Sequence, residues 1–211
     1  MATFLRYRRL WTVPNVVTLM RPIGVLPFGL LSAQAQQPDA VAARVGTVLL
    51  YAVIVGSDAL DGWLARRLHQ ASAFGRTLDH VCDVLFILMA LGTFAARQLV
   101  SWWLPAAIAW AFTLYVADSW RRTAGQAQRR LLGSRLGHLG GMLYYAAVGV
   151  VTLHLCTDGR WLPPGLLQGC FLSLALLALL SGTERLYYLV YSFIAAAPEA
   201  PAAENIPQSG R

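Results

Sequence analysis

Residues 58–83 read DALDGWLARRLHQASAFGRTLDHVCD and join two apolar runs of the chain. Four of the seven aspartates of the protein lie in this stretch. Asp58 and Asp61 are three residues apart and Asp79 and Asp83 are four apart, so each pair shares one face of a helix. The sequence therefore predicts two consecutive helices that each present two carboxylates at the same end of a bundle.

Four carboxylates beside apolar helices are costly unless another charge compensates them. A helix dipole favours anions at the start of the second helix, where Asp79 and Asp83 lie, but it disfavours Asp58 and Asp61 at a helix C-terminal end. Mg²⁺ and Mn²⁺ take carboxylate oxygens and substrate phosphates as ligands. We therefore expect these four aspartates to hold one or two such ions, which in turn bind the pyrophosphate of a substrate.

The segment between the acidic pairs favours phosphate binding. Gly62 and Gly75 permit close approach of the backbone, and Arg66, Arg67 and Arg76 carry guanidinium groups suited to phosphate oxygens. Each arginine taken singly is better explained as a topology signal of a membrane protein. Together, opposite four aspartates, they indicate a phosphoryl site.

The composition is that of a membrane protein. Of 211 residues, 57% are hydrophobic and 13% are charged, and the mean hydropathy is +0.52. All 17 basic residues are arginines, and the net charge is +7. These arginines cluster between apolar runs instead of forming a solvated basic face with stacking aromatics. The expected partner is therefore the lipid bilayer and not a nucleic acid.

Apolar runs of spanning length lie at 13–34, 44–64, 79–97, 101–119, 139–156 and 163–183. They predict an all-α fold, an integral membrane bundle of six transmembrane helices with both termini on one side. Most loop arginines fall on the side of the acidic pairs, whereas Arg44, Arg97 and Arg160 mark the other side. The first side is thus expected to be cytoplasmic, with the active site at the cytoplasmic face of the inner membrane.

A single membrane domain is expected over residues 1–195, followed over 196–211 by an Ala/Pro/Glu-rich tail that is expected to be disordered. Arginines near the N-terminus followed by an apolar stretch outline a cleavable signal peptide. Arg21 interrupts that apolar stretch, so we expect it to remain as the first span.

The spacing over 58–83, D-x2-D-G-x2-A-R-x8-G-x3-D-x3-D, resembles the signature of the CDP-alcohol phosphatidyltransferase family without a departure. Its fixed positions are Asp58, Asp61, Gly62, Ala65, Arg66, Gly75, Asp79 and Asp83. Eight residues at fixed gaps make a chance match improbable. The head of the first span, Pro14-Asn15-x-x-Thr18-x-x-Arg21, is similar to the start of bacterial phosphatidylglycerophosphate synthases.

The resemblance implies that Asp58, Asp61 and Asp79 ligate the metals, and that Asp83 shares this role and acts as the general base. The residues that it places against the CDP portion are Gly62, Ala65, Arg66, Gly75, Asn15, Thr18 and Arg21. The implied reaction moves a substituted phosphoryl group from a CDP-linked lipid, CDP-diacylglycerol in the first instance, to a small alcohol. CMP is released, and the product is a phospholipid. Family members are often homodimers, so a homodimer is a further expectation.

The acceptor stays open, because the family uses glycerol 3-phosphate, serine, inositol phosphate, or diacylglycerol with a CDP-aminoalcohol. Glycerol 3-phosphate is the preferred acceptor, although His80 and Cys82 replace the usual proline and alanine of phosphatidylglycerophosphate synthases. The stretch 79–83, DHVCD, resembles instead choline and ethanolamine phosphotransferases. For an acceptor with a phosphate, Arg121 or Arg122 at the end of the fourth span is the expected contact.

Two other classes of protein share some of these features. Aspartate-rich membrane prenyltransferases also bind Mg²⁺ and pyrophosphate, but their two motifs lie far apart in a longer chain. A small cation transporter would place carboxylates near the middle of the bilayer on several helices. The compact block at 58–83 argues against both. Asp118, outside that block, is expected to pair with its sequence neighbours Arg121 and Arg122.

Overall fold

A computed structural model of the protein describes residues 12–37, 39–70, 72–124, 135–157 and 162–194. These residues form six α-helices and no strand, which confirms the predicted all-α fold. The helices are α1 (Val13–Gln34), α2 (Val41–Arg67), α3 (Ala73–Ala96), α4 (Trp103–Arg122), α5 (Arg135–Cys156) and α6 (Pro164–Ile194). The N-terminal arginines and the tail for which disorder is predicted lie outside the described residues.

Five of the six helices are long and apolar enough to cross a membrane. These segments are Asn15–Gln34, Val41–Arg67, Phe74–Ala96, Gly137–Cys156 and Pro164–Ser192. The fourth helix, α4, is not among them, because its tryptophans, Pro105 and Asp118 lower its mean hydropathy. Length and composition thus support a membrane protein with five candidate spans in the described residues, one fewer than predicted.

The sixth helix continues beyond the end of its predicted apolar run at residue 183. It reaches Ile194, and the buried side chain of Arg185 lies within this extension. A buried guanidinium needs a buried anion close by. Asp118 of α4 is that anion, and its Oδ2 accepts a hydrogen bond from Arg185 Nη1 at 2.8 Å. The extension of α6 is therefore tied to α4 by charge as well as by apolar contact.

The bundle is built from two groups of packed helices. The first helix packs against α2 and α3, while α4 packs most extensively against α6. Within the first group, Phe28 of α1 meets two rings of α3 edge-on, Phe86 at 5.6 Å and Phe94 at 5.9 Å between centroids. These rings are almost completely buried and belong to one apolar core that also includes residues of α5 and α6.

The contact between α4 and α6 depends on a glycine. A Cβ atom at Gly182 would lie 2.2 Å from Cζ3 of Trp110, so it would clash with the indole ring. Small residues allow such close approach of helices in membrane proteins. We expect Gly182→Ala to lower the free energy of unfolding by about 1–3 kcal/mol through overpacking. Thermal unfolding in detergent measures this.

The matched control for this change lies on the same helix. A Cβ atom at Gly169 would meet nothing within 4 Å, so Gly169→Ala adds the same methyl group without a clash. This control should keep the wild-type unfolding temperature or raise it slightly, because alanine favours helix. Equal unfolding temperatures for the two variants would contradict a tight α4–α6 contact at Trp110.

A short connection brings the two aspartate-bearing helices together. After α2, His69 adopts a left-handed backbone conformation with φ 52°. Ser72 then caps the start of α3, and its Oγ accepts a hydrogen bond from the backbone N–H of Gly75 at 2.9 Å. This turn reverses the chain within a few residues. The last turns of α2 and the first turns of α3 therefore lie at the same end of the bundle.

Candidate metal centre and substrate cavity

The four aspartates of residues 58–83 converge, as their spacing predicts. One carboxylate oxygen from each of Asp58, Asp61 and Asp79 lies within 4.8 Å of the others. Asp61 is buried, whereas the side chains of Asp58 and Asp79 are 42% and 37% exposed. Asp83 lies one turn further along α3 and is joined to this group through a shared arginine. The group is thus open on one side and closed on the other.

The shared arginine is Arg21 of α1, whose guanidinium lies among the four carboxylates. Its Nη2 is 3.0 Å from Asp58 Oδ1 and 2.9 Å from Asp61 Oδ2. Its Nη1 is 3.1 Å from Asp79 Oδ1 and also donates to Asp83 Oδ1. The side chain is fully buried, and its Nε has no hydrogen-bond partner among the described residues. Arg21 therefore bonds to all four aspartates through its two terminal nitrogens.

Two other residues of α1 support this arrangement. Thr18 Oγ1 donates a hydrogen bond to Asp61 Oδ2 at 2.8 Å. Asn15 is buried beside the start of α3, where a Cβ atom at Gly75 would lie 2.8 Å from Asn15 Oδ1. At Gly62 the nearest atom to such a Cβ would be Arg66 Nη1, at 3.6 Å. Within the protein itself, Gly75 thus has no room for a side chain, whereas a Cβ at Gly62 would make only an ordinary contact.

Asp83 has a partner that the motif does not contain. Tyr145 of α5 donates a hydrogen bond from its hydroxyl to Asp83 Oδ1 at 2.7 Å. The Tyr145 ring is stacked on Phe86 with centroids 5.6 Å apart, which fixes its position. Asp83 Oδ1 thus accepts hydrogen bonds from a tyrosine hydroxyl and from Arg21.

A cavity of about 780 Å³ opens next to the aspartates. Asp58, Asp79 and Asp83 lie on its wall, together with Tyr145. Other polar residues that line it include Arg76, Thr77, His80, Tyr115, His138 and Arg185. The cavity wall therefore carries carboxylates and also the positively charged side chains of Arg76 and Arg185. Such a wall suits a ligand that has both a metal-binding group and an anionic group.

Arg185 is the buried cation of this cavity, and Asp118 holds it. Asp118 is 2% exposed and uses both oxygens: Oδ2 binds Arg185 Nη1 at 2.8 Å, and Oδ1 binds Arg122 Nε at 2.7 Å. Arg185 also lies over the Tyr115 ring, 5.1 Å from its centroid. The predicted pairing of Asp118 with Arg122 is present, whereas Arg121 donates to the backbone oxygen of Ser192 at 3.4 Å.

The residues expected to bind an acceptor phosphate, Arg121 and Arg122, are not among those that line the cavity. Arg122 is 42% exposed and lies over the Tyr188 ring. The cavity wall carries Arg185 instead, a residue that the sequence does not mark. Its only sequence signal is a charge soon after a long apolar run, which is also typical of the end of a membrane span.

The residues expected to contact the nucleotide fall into two groups. Gly62, Ala65 and Arg66 lie on the last turns of α2, and Gly75 belongs with them at the start of α3; Arg66 is exposed and the other three are partly buried. Asn15, Thr18 and Arg21 are buried beneath the aspartates. The first group is accessible at the surface, whereas the second touches the carboxylates or the start of α3.

The donor atoms of the centre fit a hard divalent cation. Asp58, Asp61 and Asp79 offer carboxylate oxygens close together, and oxygen is the ligand atom that Mg²⁺ and Mn²⁺ prefer. The exposed sides of Asp58 and Asp79 face the cavity, so ligand phosphates have access to complete the coordination. Among the residues that the structure describes, no histidine or cysteine belongs to this group.

A family model described as CDP-alcohol phosphatidyltransferase matches residues 11–196. The chain belongs to the CDP-alcohol phosphatidyltransferase family. The match covers all six helices and the whole acidic motif. Members of this family are phosphotransferases that act on CDP-linked substrates, so the converging aspartates lie in a protein of the class that their spacing indicates.

Named relatives within the CDP-alcohol phosphatidyltransferases differ in their acceptors. A cardiolipin synthase (CMP-forming) of Streptomyces coelicolor is 38% identical over 101 residues, which cover 46% of this chain and 44% of the relative. A CDP-diacylglycerol-glycerol-3-phosphate 3-phosphatidyltransferase of Salmonella choleraesuis is 35% identical over 99 residues, or 46% of this chain and 52% of the relative. The chain thus matches about half the length of these bacterial relatives.

A plant relative is similar over a comparable number of residues. Choline/ethanolaminephosphotransferase 1 of Arabidopsis thaliana is 33% identical over 114 residues, which cover 50% of this chain and 29% of the relative. The names of these relatives therefore do not point to a single acceptor for this chain.

Proposed function

We propose that this protein transfers a substituted phosphoryl group from CDP-diacylglycerol to an alcohol in phospholipid biosynthesis and releases CMP. The observation that carries the proposal is the convergence of the four motif aspartates beside one cavity that also contains a buried arginine. Bacterial relatives named for CDP-diacylglycerol and for CMP formation support the choice of donor.

In this proposal the four aspartates have two roles. Asp58, Asp61 and Asp79 hold one or two Mg²⁺ or Mn²⁺ ions, with Asp83 as a further ligand. A divalent cation bound there offsets the charge of the pyrophosphate and of the departing CMP. Asp83 accepts the proton of the attacking hydroxyl. The hydroxyl oxygen bonds to the lipid-bearing phosphorus, and the bond from that phosphorus to the CMP oxygen breaks.

We assign the nucleotide contacts to the accessible residues of the motif. Gly62, Ala65, Arg66 and Gly75 lie on or beside the turn between α2 and α3, next to the aspartates. Asn15, Thr18 and Arg21 act on the nucleotide only through the residues that they hold in place. This division follows from burial, because a side chain beneath the carboxylates does not reach a ligand in the cavity.

The preferred acceptor is glycerol 3-phosphate, with Arg185 as the contact for its phosphate. Arg185 is buried, forms an ion pair with Asp118, and lies on the wall of the cavity that also carries Asp83. A guanidinium has five N–H donors in a planar fork and is the side chain best suited to bind phosphate oxygens. Arg121 and Arg122, which the sequence favours, lie away from the cavity wall.

The site is assigned to the cytoplasmic face of the inner membrane. The C-terminal ends of α2 and α4 and the start of α3 carry Arg66, Arg67, Arg76, Arg121 and Arg122. An excess of arginine in short loops marks the cytoplasmic side. At that interface a lipid donor enters from the bilayer and a water-soluble acceptor enters from the cytoplasm. A homodimer remains the assembly expected from the family.

The test is release of CMP from CDP-diacylglycerol by the purified protein in detergent with Mg²⁺ or Mn²⁺. Glycerol 3-phosphate, serine, inositol, inositol phosphate and phosphatidylglycerol are supplied separately as acceptors. We expect release with glycerol 3-phosphate, loss of release in EDTA, and recovery on addition of excess Mg²⁺. A rate of CMP release that is unchanged by EDTA would contradict the metal role of the aspartates.

The same assay distinguishes this proposal from the other functions that the sequence allows. Release of CMP only from CDP-choline or CDP-ethanolamine with diacylglycerol would place the protein with the Arabidopsis relative in its choice of substrates. Release with another of the alcohols would keep the chemistry and change the acceptor. Absence of release from any CDP-linked donor, together with flux of divalent cations into proteoliposomes, would favour a small cation transporter.

A further inference from the structure

The buried guanidinium of Arg21 occupies the space between the carboxylates that a divalent cation is proposed to bind. We propose that Arg21 is an internal counter-ion, which holds the four aspartates in the metal-free protein and competes with divalent cations for their oxygens. The inference rests on the metal role given to these aspartates above. It concerns binding of the ion and not the transfer reaction.

The first step of the argument is the number of contacts. Arg21 reaches all four aspartates with only Nη1 and Nη2, two carboxylates for each nitrogen. Four carboxylates at this separation repel one another strongly where water is scarce. A single cation in contact with all of them reduces this repulsion. Arg21 can therefore stabilise the four carboxylates in this arrangement without a bound ion.

The second step is the identity of the oxygens. Asp61 Oδ2 accepts hydrogen bonds from both Thr18 and Arg21, and Asp83 Oδ1 accepts from both Tyr145 and Arg21. These oxygens have little remaining capacity for another ligand. A divalent cation at the same oxygens must replace the N–H donors of Arg21, and it also meets the positive charge of the guanidinium.

The third step is that Arg21 is held in place by its helix. It lies on α1 one turn after Thr18, is 1% exposed, and contacts all four aspartates through its two terminal nitrogens. An attached cation of this kind has a high effective concentration. The ion must therefore overcome this internal competitor, which lowers the apparent affinity of the site for metal.

The experiment measures Mn²⁺ binding by electron paramagnetic resonance of the free ion, with no substrate present. The variants are Arg21→Gln, which removes the charge, and Arg21→Lys, whose single ammonium does not bridge four carboxylates. We expect Arg21→Gln to bind Mn²⁺ about tenfold more tightly than wild type, with Arg21→Lys in between. Preparation in Mn²⁺ keeps Arg21→Gln folded, and chelation should lower its unfolding temperature more than that of wild type.

The matched control is Arg44→Gln, which removes the same charge at the other end of α2. Arg44 binds the backbone oxygens of Ala35 and Gln37 at 3.0 and 3.2 Å, far from the aspartates. Its Mn²⁺ affinity should equal that of wild type. Affinity in Arg21→Gln at or below the wild-type value would overturn the proposal and make Arg21 an organiser of the ligands. If that variant is not recovered, the same outcome in Arg21→Lys decides. No Mn²⁺ binding by any protein would overturn the metal role as well.

Discussion

Asp83→Asn is expected to slow CMP release by about 10²–10⁴-fold, the contribution typical of a positioned general base. Asparagine keeps the size of the side chain, but its amide does not accept the proton of an attacking hydroxyl. Asp83 lies on the cavity wall and is bonded to Tyr145, so a hydroxyl in the cavity has direct access to it. The initial rate of CMP release at saturating substrates measures the effect.

Two controls separate this role from a general loss of structure. Asp39→Asn removes an exposed carboxylate in the connection between α1 and α2 and should leave the rate unchanged. Binding of Mn²⁺ to Asp83→Asn should persist, because Asp58, Asp61 and Asp79 remain together. If Asp83→Asn kept more than about a hundredth of the wild-type rate, the 10²-fold minimum for a general base would not be met and another group would have to accept the proton.

The acidic centre was predictable because its geometry is local. Spacings of three and four residues place each aspartate pair on one helix face, and the connection from 68 to 72 is too short to separate the two pairs. The helices themselves follow from apolar runs of spanning length, and all six coincide with predicted runs. The ends of most helices differ from the ends of the predicted runs. Hydropathy alone does not show which charged residues form ion pairs inside the bundle.

The residues that the sequence did not identify all act across long distances in the chain. Tyr145 meets Asp83 from 62 positions away, and Arg185 meets Asp118 from 67 positions away. No periodicity relates such pairs, and each residue has an ordinary local explanation: an aromatic in an apolar helix or a charge near a span end. Arg21 was marked by the resemblance, but its position among the aspartates depends on how α1 packs against α2 and α3.

Arg185→Gln is expected to raise the KM for glycerol 3-phosphate by about 10- to 100-fold, the loss of one charge-assisted contact to a phosphate. The KM for CDP-diacylglycerol should change little, because the aspartates and the turn between α2 and α3 are untouched. Initial rates at varied acceptor and fixed donor measure the first constant, and the converse series measures the second.

Arg122→Gln is the matched control, because both arginines bind Asp118 and each substitution removes one guanidinium from it. Arg122 is 42% exposed and lies off the cavity wall, so its loss should leave the KM for the acceptor near the wild-type value. A general effect of disturbing Asp118 would raise the KM in both variants. An increase in Arg122→Gln alone would return the acceptor site to the end of α4, where the sequence places it, and would contradict a phosphate contact at Arg185.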